Sequence, residues 1–269
     1  MLNMEYLLEE AKNNNLPVLK KRAIIREYLQ IIILNSIYKQ KLGRYFFFMG
    51  GTAMRYFYRV PRFSEDLDFN TPSLEYREFE NTLQRVGKDL SREGLPATIS
   101  VSRRKNLFTA KLLFTDVMGR YGISDERGAN LMVKIEINRP NWELNTDSKV
   151  LSMYGYNFTS ILMSRGNLLS EKICALLNRK RGRDIYDTLY MLRKKFPFNE
   201  NVLKANNIKL PVEDTILAYL KSMDGKELKQ LANQVKPFLF KEDDIDLIIK
   251  APLYGKAFLD DYTNDFERS

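Results

Sequence analysis

Residues 45 to 70, YFFFMGGTAMRYFYRVPRFSEDLDFN, restrict the fold more than any other stretch of the chain. The aromatic and apolar run from Tyr45 to Met49 has the length of a buried strand, and Gly50-Gly51 stops it abruptly. Thr52 stands where a side chain can cap a following helix, whose first N–H groups, together with the glycine backbone, make a place for phosphate. Pro61 breaks that helix. From Phe63 to Phe69 the residues alternate, so a strand there puts Ser64, Asp66 and Asp68 on one face and Phe63, Leu67 and Phe69 on the other. Same-face neighbours on a strand lie roughly 7 Å apart, which lets two carboxylates converge on a divalent cation. Taken singly, Gly-Gly is usually a turn and Asp-X-Asp a solvated strand end. The weight lies in their order, with turn, helix start and paired acids packed into one unit of two adjacent strands.

The chain has no histidine, and this excludes much. A Ser-His-Asp triad, a Cys-His pair, a histidine general base and any histidine-ligated zinc site are ruled out. Catalysis must run on carboxylates, lysine, tyrosine or oxygen-ligated metal. The single cysteine, Cys174, lies in an apolar-rich stretch and reads as a buried structural thiol. No apolar run approaches a membrane span, and the N-terminal MLNMEYLLEEAKNNN is too acidic for a secretory signal, so a cytoplasmic site of action is expected. The net charge of +9 is uneven: four basic and eight acidic residues from Phe238 onward leave −4 there and +13 on the rest. A body that basic favours a polyanionic partner, although lysine-rich surfaces also arise without one.

In chain order, Ile25, Leu29, Ile32, Ile33 and Ile37 mark an amphipathic helix within Val18 to Leu42 that packs its apolar face on the sheet. Tyr76 to Glu93 reads as a second long helix ended by Gly94, and Thr98 to Arg104 with Leu107 to Thr115 as a hairpin. Asp116 to Ala129 reads as a loop. In the next strand, Leu131 to Arg139, Lys134 and Glu136 share the face opposite Val133, Ile135 and Ile137. Glu136 can complete a metal site, or Lys134 can neutralise it as an ordinary pair. From Ser164 onward the pattern is helical, with Asn167 or Ser170 able to cap and Leu169, Ile173, Leu176 and Leu177 as an apolar stripe. A second helix carries Asp184 and Asp187, three residues apart on one face, and nine basic against three acidic residues between Arg165 and Lys195 suit triphosphate or RNA. On spacing alone, a solvated helix face with intrahelical Arg/Asp pairs is the favoured explanation of those acids.

Gly50-Gly51-Thr52-Ala53 followed by Arg62-Phe63-Ser64-Glu65-Asp66-Leu67-Asp68-Phe69 resembles the minimal nucleotidyltransferase fold, and more narrowly the abortive-infection toxin nucleotidyltransferases of the AbiEii type. Lys134-Ile135-Glu136 resembles the Lys-X-acid element of that family, and Ser170-Glu171-Lys172 with Arg183-Asp184-Ile185-Tyr186-Asp187 resembles its later motifs, in the same order. The resemblance spans about residues 45 to 195. It implies an α+β fold, with a nucleotidyltransferase mixed-sheet domain over residues 1–160 and a mainly helical domain over 161–269 that completes the nucleotide and RNA cleft. It also implies transfer of a nucleoside monophosphate from NTP to an RNA acceptor, with the 3′ end of tRNA as the leading acceptor, and a separately encoded antitoxin.

Carried onto this chain, the family's pattern assigns Mg²⁺ to Asp66 and Asp68, with Glu136 as a third ligand, and phosphate to Gly50, Gly51 and Thr52. Lys172 and Arg62 neutralise nucleotide oxygens, Lys134 contacts the nucleotide, and Ser64 is a phosphate or metal-shell contact. Asp184 or Asp187 positions the nucleotide or deprotonates the acceptor. The chain departs from the pattern at Glu136, where an aspartate is expected; the extra methylene moves the carboxylate by more than a metal site normally accepts without rearrangement. Two other classes stay open. A small-molecule nucleotidyltransferase of the antibiotic-modifying kind favours an acidic pocket, against which the +13 body argues. A non-catalytic RNA-binding regulator would tolerate Asp66→Asn.

Overall fold

The computed structural model describes residues 1–123 and 129–266, and the chain forms two compact units. The first comprises Met1–Arg59, Phe63–Pro140 and Thr146–Met163; the second comprises Val60–Arg62, Asn141–Asn145 and the chain from Ser164.

In chain order the first unit contains helices α1 (Met4–Asn13) and α2 (Lys21–Tyr38), strand β1 (Phe47–Met49), helix α3 (Gly50–Tyr58), strand β2 (Leu67–Asn70) and helix α4 (Tyr76–Arg92). Strands β3 (Thr98–Arg104) and β4 (Leu107–Phe114), the helical turn α5 (Val117–Arg120), and strands β5 (Leu131–Asn138), β6 (Thr146–Met153) and β7 (Tyr156–Met163) follow. The seven strands form one mixed sheet in the order β3-β4-β5-β2-β1-β7-β6, with β2/β5 and β1/β7 parallel and the other pairs antiparallel. The α+β class and the mixed sheet agree with the sequence expectation. Helix α5 interrupts the expected loop from Asp116, and residues 124–128 of that stretch lie outside the described residues.

Strand alternation sorts the sheet into a core face and a polar face. Phe48, Leu67, Phe69, Ile135 and Ile137 are fully buried, and Phe48 and Phe69 pair across β1 and β2 with ring centroids 5.3 Å apart. The residues between them, Asp68 on β2 and Lys134 and Glu136 on β5, emerge on the opposite face half-exposed. Helix α4 follows its pattern, with Phe79, Leu83, Val86 and Leu90 buried along one stripe and a capping-box contact from the Glu75 N–H to Glu78 Oε2 at 2.9 Å.

Helix α2 departs from the expected amphipathic form. Buried residues occur all round it, including Glu27, Gln30, Asn35 and Ser36, because it packs against α1 and α4 as well as strands β5 and β7. A helix enclosed on every side has no solvent face, so its polar residues must bond inward. Ser36 donates to Asp89 Oδ2 at 2.7 Å, and Glu27 pairs with Arg55 at 3.2 Å.

The hairpin β6–β7 is a second feature the pattern reading did not assign. Tyr154 and Gly155 both take positive φ at its turn, and β7 then runs parallel to β1.

The second unit is helical: α6 (Arg165–Asn178), α7 (Gly182–Arg193), α8 (Glu200–Ala205), α9 (Val212–Lys221), α10 (Gly225–Val235), α11 (Asp246–Ile249) and α12 (Ala251–Phe266). The cap of α6 is Ser164, which accepts from the Asn167 N–H, rather than Asn167 or Ser170. Asn167 and Ser170 are instead buried inside the helix, where both bond Asn199. Gly182 opens α7 where a Cβ would stand 2.9 Å from the backbone carbon of Leu231, so only glycine lets α10 approach.

Candidate active site

Strand β1 passes into α3 with no intervening loop, and Gly50 makes the turn at φ +74°. A side chain is barred there twice over. The conformation disfavours one, and a Cβ would stand 2.9 Å from both Cβ and Cγ of Asp68 and nearer still to its Oδ2. Asp68 occupies this place because it pairs with Met49 across the β1–β2 ladder. On its other side Asp68 is in register with Glu136 of β5, which in turn faces Thr109 of β4.

Adjacent like charges on a sheet face repel, and Lys134 offsets them. Its Nζ lies 3.2 Å from Glu136 Oε2 and 3.7 Å from Asp66 Oδ2. Burial alone would lower the lysine's pKa, but Asp66, Glu136 and Asp68 outweigh that and hold it above its ordinary value. The group stays within reach of solvent, with Lys134 and Glu136 27% exposed and Asp66 34%.

Asp66 reaches this group by a different route from Asp68. Strand β2 begins only at Leu67, so the expected strand from Phe63 is not formed and Ser64 and Asp66 lie in the irregular approach to it. The Thr52 hydroxyl donates to the Asp66 carbonyl at 2.5 Å. Thr52 is therefore not the cap of α3: Met49 holds the cap position, without a side-chain hydrogen bond, and Thr52 faces the acid-bearing segment.

Among the described residues, no three His, Cys, Asp or Glu side chains are grouped so as to hold a metal ion. Glu136, expected as a third ligand, pairs its carboxylate with Lys134 at 3.2 Å. Asp66 and Asp68 supply the hard oxygen donors that Mg²⁺ prefers.

In the second unit a separate set of charges is buried. Asp184 is 1% exposed and Asp187 0%, so neither belongs to a solvated helix face. Arg62 grips Asp187 with both prongs, Nε to Oδ1 at 2.7 Å and Nη2 to Oδ2 at 2.6 Å. Lys172 Nζ lies 2.8 Å from Asp187 Oδ2 and 3.1 Å from Asp184 Oδ1, and Arg179 Nε binds Asp184 Oδ2 at 2.8 Å. Burial would raise the Asp187 pKa, but Arg62 and Lys172 overcome it and bring the carboxyl down to about 2. Arg62 is itself fixed within this unit. Its short segment bridges Leu239, and the Pro61 carbonyl accepts from the Phe240 N–H at 3.0 Å. Cys174 is buried, and burial pushes its thiol up to about 12, with Glu171 adding to the shift, as befits an inert core residue.

A family model described as the nucleotidyl transferase AbiEii toxin of a type IV toxin–antitoxin system matches residues 32–264. The chain belongs to the AbiEii nucleotidyltransferase toxin family. Solved structures with the same fold include MenT4, a nucleotidyltransferase toxin from Mycobacterium tuberculosis H37Rv, at a TM-score of 0.56 and 15% identity over 100% of this chain and 93% of that one. Another is JHP933 from Helicobacter pylori, at a TM-score of 0.55 and 15% identity over 92% and 96% of the two chains. No curated protein sequence matches the chain. Membership of a type IV toxin–antitoxin family implies an NTP substrate and a separate antitoxin. No helix among the described residues is long and apolar enough to cross a membrane.

In this AbiEii toxin the residues singled out in the sequence fall into two groups. Asp66, Asp68, Lys134, Glu136, Gly50 and Thr52 come together in the first unit, with Gly51 in the first turn of α3 and Ser64 two residues before Asp66. Lys172, Asp184, Asp187 and Arg62 come together in the second. Arg62, expected at nucleotide oxygens, is 2% exposed and engaged by Asp187. Two residues of α2 escaped the sequence reading. Arg26 binds Glu65 Oε1 at 2.7 Å, and Gln30 bonds the backbone beside Asp66. The available signal was polar residues inside an apolar helix, which bury only with partners.

Proposed function

We propose that this AbiEii toxin transfers a nucleoside monophosphate from NTP to RNA, at the 3′ end of tRNA, with Mg²⁺ as its metal. One observation carries the reading: Asp68 packs against the glycine turn at the start of α3, where a Cβ on Gly50 would collide with it, and the Asp66 carbonyl is tied to Thr52 in the first turn of the same helix. The first N–H groups of α3 and the Gly50-Gly51 backbone receive phosphate oxygens. Asp66 and Asp68 would hold Mg²⁺, which when bound would offset the charge of the triphosphate and of pyrophosphate as it leaves. Glu136 and Lys134 neutralise each other beside them, and Lys134 keeps its proton to meet a phosphate oxygen.

The acceptor hydroxyl oxygen forms a bond to the α-phosphorus, the bond from that phosphorus to the β-phosphate oxygen breaks, and pyrophosphate departs. Asp187 is a poor acceptor for the hydroxyl proton, because Arg62 and Lys172 hold its carboxyl near pKa 2. The proton leaves instead through the half-exposed carboxylate rim to solvent. Lys172 remains a candidate nucleotide contact. The cytoplasm, where NTP and tRNA are present, is the proposed site of action. The test is transfer of label from each of the four α-³²P NTPs to total cellular RNA, with and without Mg²⁺. Label in a tRNA-sized band that disappears with chelator is the expected result; pyrophosphate release without RNA label would point to another acceptor.

A further inference from the structure

We propose that Gln30, in the middle of α2, is a positioning residue for Asp66. The inference rests on the transfer reading above in one respect, that Asp66 works on the nucleotide; the geometry stands without it.

The two aspartates are held by different means. Asp68 sits inside the sheet, laddered to Met49 on one side and Glu136 on the other. Asp66 precedes the strand and lies outside that ladder, so its place depends on how the segment Ser64–Glu65–Asp66 is fixed. Side chains do that work. Gln30 Nε2 donates to the Ser64 carbonyl at 3.2 Å and to the Glu65 carbonyl at 2.9 Å, and the Thr52 hydroxyl donates to the next carbonyl, that of Asp66. Three successive carbonyls are thus taken by two side chains that are 1% and 0% exposed.

The amide of Gln30 cannot turn round. Its Oε1 accepts from the Tyr56 hydroxyl at 2.8 Å, and its nitrogen must face two carbonyls that need donors. One helical turn earlier, Arg26 pins the Glu65 side chain at 2.7 Å, and its charge also faces Asp66. A buried amide is tolerated only when its bonds are made, and an apolar residue of similar length would pack among the isoleucines of α2 without that demand. Both donor hydrogens of Gln30 serve the segment that carries Asp66. A carboxylate displaced by about 1 Å from its working place costs on the order of 100-fold in rate.

The test uses the full chain with Gln30→Met, which keeps side-chain length and removes both donors, beside Thr52→Val and Thr52→Ser. Expected for Gln30→Met is a fall in kcat for nucleotide transfer of about 100-fold, with KM for NTP within about threefold of wild type, since the lost interaction acts on the reacting geometry. Thr52→Val should fall likewise and Thr52→Ser recover, because serine restores the donor to the Asp66 carbonyl. Amide hydrogen exchange on the same proteins should quicken in the peptide covering residues 63–68 and stay unchanged across α2. Wild-type kcat in Gln30→Met, or a loss of rate that merely follows a loss of thermal stability, would overturn the proposal. A wild type that transfers no nucleotide would sink the transfer reading instead, and the exchange result would then decide this one: unchanged exchange at residues 63–68 overturns it.

Discussion

The two charged clusters use the same chemistry, aspartates beside lysine or arginine, in opposite surroundings. In the first unit Lys134 stands between Glu136 and Asp66 with all three groups about a quarter to a third exposed, and its contacts at 3.2 and 3.7 Å are single-pronged. In the second, Asp187 is sealed from solvent, gripped bidentately by Arg62 and met again by Lys172. A part-exposed pair in high dielectric is held weakly and can trade partners with a ligand, whereas a buried pair cannot lose a member without stranding a charge. The proposed transfer reading accordingly gives the metal and phosphate work to the first cluster, while the second is bound by its own buried pairs.

The contrast can be broken most forcefully at Arg62. Arg62→Met leaves Asp187 buried with only Lys172 to answer it, and urea unfolding should register a loss of about 3–5 kcal/mol. Gly50→Ala comes next. The alanine must adopt φ +74° with its methyl against Asp68, and the same measurement should show a loss of roughly 3 kcal/mol together with loss of transfer.

Acid titration sharpens the comparison further. The Asp187 carboxyl is depressed from 3.8 to about 2, so the stability it confers is complete above its ordinary pKa and is lost as pH falls through about 2. Unfolding followed between pH 5 and pH 2 should show a decline on the order of 2 kcal/mol that Asp187→Asn abolishes. Glu27 carries the opposite sign. Burial, incompletely offset by Arg55, raises its pKa, so its contribution is full below the ordinary value of 4.5 and shrinks as pH rises through the folded one. The smallest effect belongs to Lys134→Met, which should change folding stability by less than about 1 kcal/mol, as expected of ion pairs open to water.

The legible parts of the molecule are those set by local period. Alternation placed Lys134 and Glu136 on the polar face of β5, and the Gly50-Gly51 stop located the turn under Asp68, because each depends on only a few neighbouring residues. What spacing could not show was partnership over distance. Arg62 and Asp187 lie 125 positions apart, and nothing local to either says that they bond. The reading of α2 as amphipathic failed for a related reason. Isoleucines alone suggest one apolar face, while Glu27 and Gln30 look like solvent residues until their buried partners are seen. The strand expected from Phe63 begins late because side chains from α2 and α3, not a neighbouring strand, take the carbonyls of residues 64 to 66. The hairpin β6–β7 carried a signal in Tyr154-Gly155 between two short alternating runs.

The division of labour between the clusters is tested most directly by label transfer from α-³²P NTP to RNA by Asp66→Asn beside wild type, each checked for an unchanged unfolding midpoint. A fully folded Asp66→Asn protein whose transfer has fallen on the order of 100-fold or more is the predicted result, since one of the two carboxylates that would hold Mg²⁺ against the reacting phosphate has been removed. Wild-type transfer by that variant would contradict the assignment of the working site to the first unit.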